Sequence, residues 1–140
     1  MLILDTDHLT ALDRGGAASA YLLRRLEPHR SEVCTTIVSV GEQLGGLLSL
    51  IGSAKTDDTR IERYERLSQR LERVGDYTVL QWTAAAQARF NLMRRARIRI
   101  GTQDLRIAST ALTLNATLLS ANLRDFAKVP GLRVENWLTD

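Results

Sequence analysis

The stretch that most constrains the fold is residues 101–126, GTQDLRIASTALTLNATLLSANLRDF. It reads as a helix that opens on an acid, runs into a short apolar strand from Ala116 to Ser120, and leaves it through a polar turn carrying Asn122 and Asp125. Asp104 falls in the first helical turn, where free backbone N–H groups and the helix dipole favour a carboxylate. The unit therefore delivers oxygen-bearing side chains to the carboxyl end of a buried strand. In open α/β sheets, ligands bind at that edge.

The rest of the chain repeats this alternation. Met1 to Leu4 is a short apolar run ending in Asp5-Thr6-Asp7, a strand that turns into a capped helix. Helices are predicted over about 7–13, stopped by Gly15-Gly16, and over about 17–26, before Pro28. The β-branched run Val33 to Val38 predicts a second strand. Ser39-Val40-Gly41-Glu42 opens a helix that continues to about Leu50. From 57 to 74, Ile61, Tyr64, Leu67, Leu71 and Val74 recur at helical spacing, with Arg and Glu opposite, many of them paired along the helix. A strand at Tyr77 to Leu80, a helix from Thr83 to about Ile98, and an edge strand within Leu132 to Trp137 complete the series. Strands alternating with helices predict an α/β fold, a parallel sheet covered on both faces. The connection at 51–56 is too short for a domain linker, so residues 1–140 are expected to form one domain.

Composition removes several alternatives. A chain of 140 residues buries a sizeable core without staples. No apolar run approaches a membrane span. Met1-Leu-Ile-Leu meets Asp5 too soon for a signal peptide, which leads us to expect a cytoplasmic protein. Cys34 is the single cysteine, which excludes an internal disulfide and any site built from several thiolates; inside an apolar strand it reads as a buried, inert thiol. His8 and His29 lie on different segments, so no histidine acid/base pair is expected, and His8 reads as a surface or supporting residue near the first turn. Neither glycine-rich phosphate motif is present.

Each acid has a structural explanation when taken alone. Glu42 stands three residues after Ser39, the spacing of a capping box. Asp5 or Asp7 suits an N-cap, Asp104 the helix dipole, and Asp125 a turn. Taken together, Asp5, Glu42, Asp104 and the Asn122/Asp125 pair all follow a strand or open a helix, and in a parallel sheet those places share one edge. Carboxylates converging there repel unless a cation sits among them. Ligands made only of oxygen favour Mg²⁺ or Mn²⁺, and such a centre polarises a phosphoryl oxygen for in-line attack by water. The chemistry implied is phosphoester hydrolysis.

In order and spacing, Leu4-Asp5-Thr6-Asp7, Ser39-Val40-Gly41-Glu42-Gln43-Leu44 with Gly46, Ile100 to Ala108, and Leu119 to Phe126 resemble the PIN-domain ribonucleases. The closing Pro130-Gly131-Leu132 with Trp137 is similar to the VapC type, the toxin half of bacterial toxin–antitoxin pairs. The resemblance covers essentially the whole chain. It implies a three-layer α/β/α fold, an endoribonuclease dependent on Mg²⁺ or Mn²⁺, a homodimer, and an antitoxin that blocks the site. By motif match Asp5, Glu42 and Asp104 correspond to the metal-holding acids, with Thr6, Asp7 and Ser120 in support. Where the family commonly has a fourth acid this chain has Asn122, which leaves Asp125 as the candidate replacement. Arg89, Arg94, Arg95, Arg97 and Arg99 form a cluster without an intervening acid, suited to the RNA backbone.

Two other readings follow from the same residues. Asp5-Thr6-Asp7 also resembles the DxD motif of HAD-type phosphohydrolases, in which Asp5 would be a nucleophile. That motif expects Thr or Val at position 9, where this chain has Leu, and a lysine at the site, whereas the chain has only Lys55 and Lys128. The other alternative is a catalytically silent module of the same fold that binds RNA or protein.

Overall fold

A computed structural model describes residues 1–139. Five strands, β1 (Leu2–Leu4), β2 (Val33–Thr36), β3 (Thr78–Leu80), β4 (Thr117–Leu119) and β5 (Arg133–Glu135), form one sheet in the order β3-β2-β1-β4-β5, every neighbouring pair parallel. The helices are α1 (Thr6–Arg14), α2 (Gly16–Leu26), α3 (Ile37–Gly52), α4 (Asp57–Val74), α5 (Ala84–Arg95), α6 (Thr102–Thr113) and α7 (Leu123–Phe126).

Alternation along the strands builds the three layers. Ile3, Cys34 and Leu118 point into one core with Phe90 and Met93 of α5 and Leu105, Ile107 and Ala108 of α6. Leu4 and Leu119 point the other way, onto Leu9, Leu22 and Leu26 of α1 and α2 and onto Trp137. The chain builds outward from β1 through β2 to β3, then crosses back to β4 and β5. The reversal falls between β1 and β4, which makes their carboxyl ends the topological switch point.

Three predicted boundaries are corrected. The second strand stops at Thr36, and Ile37 and Val38 belong to α3, because the Thr36 hydroxyl accepts from the Ser39 N–H and caps the helix earlier than expected. Ser39 is therefore not the cap, and Glu42 lies too far into α3 to close a capping box. The helix predicted to reach Ile98 ends at Arg95: Arg97 takes a left-handed φ of 59°, with Arg97 N–H bonded to Arg94 O and Ile98 N–H to Met93 O, a Schellman ending. Arg97 and Arg99 accordingly lie in the α5–α6 loop.

The apolar stripe of α4 meets little of the core. Ile61, Tyr64 and Leu71 remain more than half exposed, at 59%, 54% and 53%. The expected pairing along α4 holds for Arg60 with Asp57 at 3.6 Å, but Arg70 and Arg73 reach across to Asp13 of α1 instead. Among the described residues, no helix is long and apolar enough to cross a membrane.

Candidate active site

Asp5 is the first residue beyond β1, and its backbone N–H bonds to Leu119 O of β4 at 3.0 Å, which holds it at the switch point. It is the N-cap of α1, with Oδ1 accepting from the Thr6 N–H at 2.7 Å. Its other oxygen accepts from the Ser120 hydroxyl at 2.7 Å. Burial pushes its carboxyl up to about 6, with the Asp7 charge adding to the shift and the Ser120 and Thr6 hydrogen bonds opposing it.

Glu42 enters from α3, and the Thr6 hydroxyl donates to its Oε1 at 3.0 Å. That bond ties the second acid to the helix that the first one caps. Asp104 enters from the first turn of α6. Burial, the neighbouring Glu42 carboxylate and the charges of Asp125 and Asp7 raise its carboxyl above the ordinary range, against an opposing hydrogen bond from Asn122. Asp5, Glu42 and Asp104 thus arrive from three separated parts of the chain at one cleft of about 620 Å³, lined also by Thr6, Asp7, Thr10, Arg14, Asn122 and Leu138.

The remaining predicted residues divide. Asp7 lines the cleft, but its oxygens are engaged by His8, the Ala121 N–H and Ser120; burial pushes its carboxyl up, and these hydrogen bonds outweigh that effect and hold it low. The Asn122 side-chain amide donates to Asp104 at 3.2 Å and to Asp125 at 3.1 Å, so it bridges the two carboxylates as a donor. Asp125 sits in a neighbouring groove with Arg94, Arg99 and Thr102, paired to Lys128 at 3.5 Å. Hydrogen bonding from Asn122, with help from Lys128, holds its carboxyl below the ordinary range. Arg95 and Arg97 are exposed outside both grooves. His8, expected at the surface or in support, is fully buried. Cys34 is buried as expected, and burial raises its thiol to about 11.

Two residues that line the cleft, Arg14 and Leu138, gave no signal in the sequence. Arg14 ends α1, where a basic residue reads as a dipole complement, and Leu138 arrives from the far end of the chain.

The donor set suits a hard divalent cation, since every acid facing the cleft is a carboxylate and the like charges are uncompensated by lysine. Among the described residues, no three carboxylate, imidazole or thiolate side chains stand close enough to enclose an ion. An ion bound here would therefore be held partly through water, as Mg²⁺ ordinarily is. The HAD-type reading asked for a lysine beside Asp5, and none lines the cleft.

Comparison with known proteins matches residues 2–132 to the PIN domain. The chain is 26% identical to Ribonuclease VapC1 of Rickettsia felis over 135 residues, 95% of this chain and 93% of that protein. It is 50% identical to Ribonuclease VapC2 of the same organism over 38 residues, a stretch spanning 28% of that protein's length. Its fold is similar to that in the crystal structure of DNA-bound VapBC from Salmonella typhimurium, with a TM-score of 0.80, 21% identity and 97% of each chain covered.

Proposed function

The chain belongs to the PIN-domain family, and from that premise we propose that it is the toxin of a toxin–antitoxin pair, an endoribonuclease dependent on Mg²⁺ or Mn²⁺. The observation that carries the proposal is the convergence of Asp5, Glu42 and Asp104 on one cleft at the switch point of the sheet. The names of the VapC relatives support the activity, and the VapBC complexes among its structural neighbours support an antitoxin as partner.

Bound there, a divalent cation would polarise the scissile phosphoryl group and ease deprotonation of the attacking water. Asp5, Glu42 and Asp104 would hold it, directly or through water. Thr6 and Ser120 keep the carboxylates aimed by donating to Glu42 and Asp5, which leaves their other lone pairs for the ion. Arg14 faces the same cleft, where it would meet a phosphate oxygen. Asp125 would supply charge for a second, weaker metal position through water, while Asn122 fixes the geometry between it and Asp104. The RNA backbone would continue into the groove that holds Arg94 and Arg99, with Arg95 and Arg97 reinforcing the field from the surface.

The exposed apolar side chains of α3 and α4, Leu48, Ile61, Tyr64 and Leu71 among them, support assembly with a second copy and an antitoxin. The cytoplasm is the compartment proposed. Cleavage of RNA that is abolished by EDTA and restored by Mg²⁺ or Mn²⁺ is the expected result. Among the described residues no three side chains enclose an ion, which favours one competing reading, a silent RNA-binding module. RNA binding indifferent to EDTA, with no cleavage under any metal, would establish it.

A further inference from the structure

The acids leave one buried group of the same region unexplained. His8, in the first turn of α1, has no exposed surface. A buried imidazole needs a partner at each nitrogen, and His8 has both. The backbone N–H of Trp137 donates to Nε2 at 3.1 Å. A backbone N–H is only a donor, so Nε2 presents its lone pair and the ring carries its proton on Nδ1. Nδ1–H therefore donates to Asp7 Oδ1, 2.6 Å away.

From Asp7 the connection continues into the cleft. Its Oδ2 accepts from the Ala121 N–H at 2.8 Å, which pins the turn after β4, and lies 3.2 Å from the Ser120 hydroxyl. That hydroxyl has a single proton, and the shorter contact, 2.7 Å, is to Asp5. Ser120 Oγ accepts from the Asn122 N–H at 3.1 Å, and the Asn122 amide reaches Asp104 at 3.2 Å. One turn, 120–122, thus touches both acids that flank the switch point.

The other end is fastened to α2. The Trp137 ring lies under the Arg25 guanidinium, 4.6 Å from its centroid, and its indole N–H donates to Glu135 at 2.7 Å. Arg25 also donates to Thr139 O at 3.3 Å. Leu138, between these anchors, forms part of the cleft wall.

We propose that His8 is a positioning residue: the docked segment 137–139 fixes its tautomer, and its Nδ1–H donor holds Asp7 and with it the 120–122 turn, and thereby sets how Asp5 and Asp104 face each other across the cleft. Its effect on cleavage rests on the nuclease reading, whereas its effect on the metal does not. Without the Nδ1–H donor, Asp7 loses its shortest hydrogen bond and is held through Oδ2 alone, which loosens the 120–122 turn and with it the carboxylates that turn positions.

The test uses the full chain, with Mn²⁺ as the probe. Glutamine at position 8 reaches the Nε2 position and keeps an acceptor for Trp137 but loses the donor to Asp7; asparagine places an amide N–H near Nδ1 and keeps that donor. His8→Gln is expected to weaken Mn²⁺ binding, read by calorimetry, about tenfold or more, the scale of losses seen when partners that orient metal ligands are removed. It should lower kcat for RNA by a similar factor with KM unchanged, and His8→Asn should restore both to within about threefold of the parent. The ¹⁵N spectrum of the unaltered protein should show His8 as the Nδ1–H tautomer. Should His8→Gln fail to fold, Asp7→Asn, at a partly exposed position, breaks the link to the turn and is expected to lose Mn²⁺ affinity likewise. An Nε2–H tautomer, or Mn²⁺ affinity that is unchanged or falls equally in both His8 variants, overturns the proposal. An unaltered protein that binds Mn²⁺ but cleaves no RNA overturns the nuclease reading alone, and the Mn²⁺ and ¹⁵N results still decide the role of His8.

Discussion

Two regions of this molecule hold partly buried aspartates and treat them in opposite ways. Where α1 meets α4, Asp13 is paired with Arg70 and, at 2.9 Å, with Arg73, so its charge is neutralised within the chain. In the cleft, Asp5, Asp7, Glu42 and Asp104 face one Lys or Arg side chain among the described lining residues, Arg14. Burial and mutual repulsion raise Asp5 and Asp104. A carboxylate whose charge is balanced by its own chain holds elements together, whereas a group left unbalanced is an attraction for something outside it. Carboxylate burial is common to both regions, and the count of opposing cations separates them.

The comparison is broken most sharply at Asp104. Asp104→Asn is expected to lower RNA cleavage by about 10³-fold or more, the scale of removing a group that stabilises developing charge. Its melting temperature should stay within a few degrees of the parent, because the dipole interaction is worth only about 0.3–1 kcal/mol. A large fall in melting temperature with cleavage retained would place Asp104 in the same class as Asp13.

Asp13→Ala should give the reverse. It leaves Arg70 largely buried without its partner, and we expect a loss of roughly 2–3 kcal/mol of stability in urea unfolding, with the metal requirement and cleavage rate unchanged. If activity fell in proportion to stability, the two regions would not be separable.

The third prediction concerns the pH dependence of the metal-free protein. Asp5 titrates at about 6 in the folded chain, against 3.8 for the unperturbed group. The folded state therefore holds its proton more tightly, and this group's contribution to stability is present below about pH 4 and is lost as pH rises through 6. The loss amounts to about 3 kcal/mol at most. Asp5→Asn should remove that dependence, so that its stability relative to the parent improves from pH 4 to pH 7. Added Mg²⁺ should stabilise the parent at pH 7 and leave the variant nearly unaffected. A difference that does not vary with pH would show that the cleft has balanced this charge after all.

The smallest effect is expected in the basic groove. Removing Arg94 and Arg99 together should weaken RNA binding at low salt and reduce the slope of log affinity against log salt by about 1 to 1.5, with the fold unaffected. An unchanged slope would mean that these arginines make no phosphate contacts.

Much of the fold was legible because its signals are local. Short apolar or β-branched runs marked β1, β2 and β4, and polar residues that follow a strand or open a helix marked the carboxyl edge, since in a parallel sheet both places lie there. Asp5, Glu42 and Asp104 were singled out for this reason, and the structure brings the three to one cleft. The end of β2 was misplaced because Ile37 and Val38 suit a strand as well as a helix, and a hydrogen bond from Ser39 to Thr36 decided between them. The α5 ending was missed because Arg97 carries no sign of the left-handed conformation it adopts.

The sequence by itself determined the order of the elements, the parallel sheet and the acids that its strands deliver, because each depends on residues adjacent along the chain. Tertiary structure alone decided which charges are balanced and which buried polar groups are connected. Asp13 and Asp104 both lie near helix ends, and nothing beside them in the chain says which charge is balanced; Arg70 and Arg73, about 60 residues away, neutralise the first. His8 stands one residue from Asp7, yet its proton is placed by the backbone of Trp137, 129 residues along the chain. Charge compensation and hydrogen-bond satisfaction are sums over neighbours in space, and those neighbours exist only once the sheet has closed and the last segment has docked.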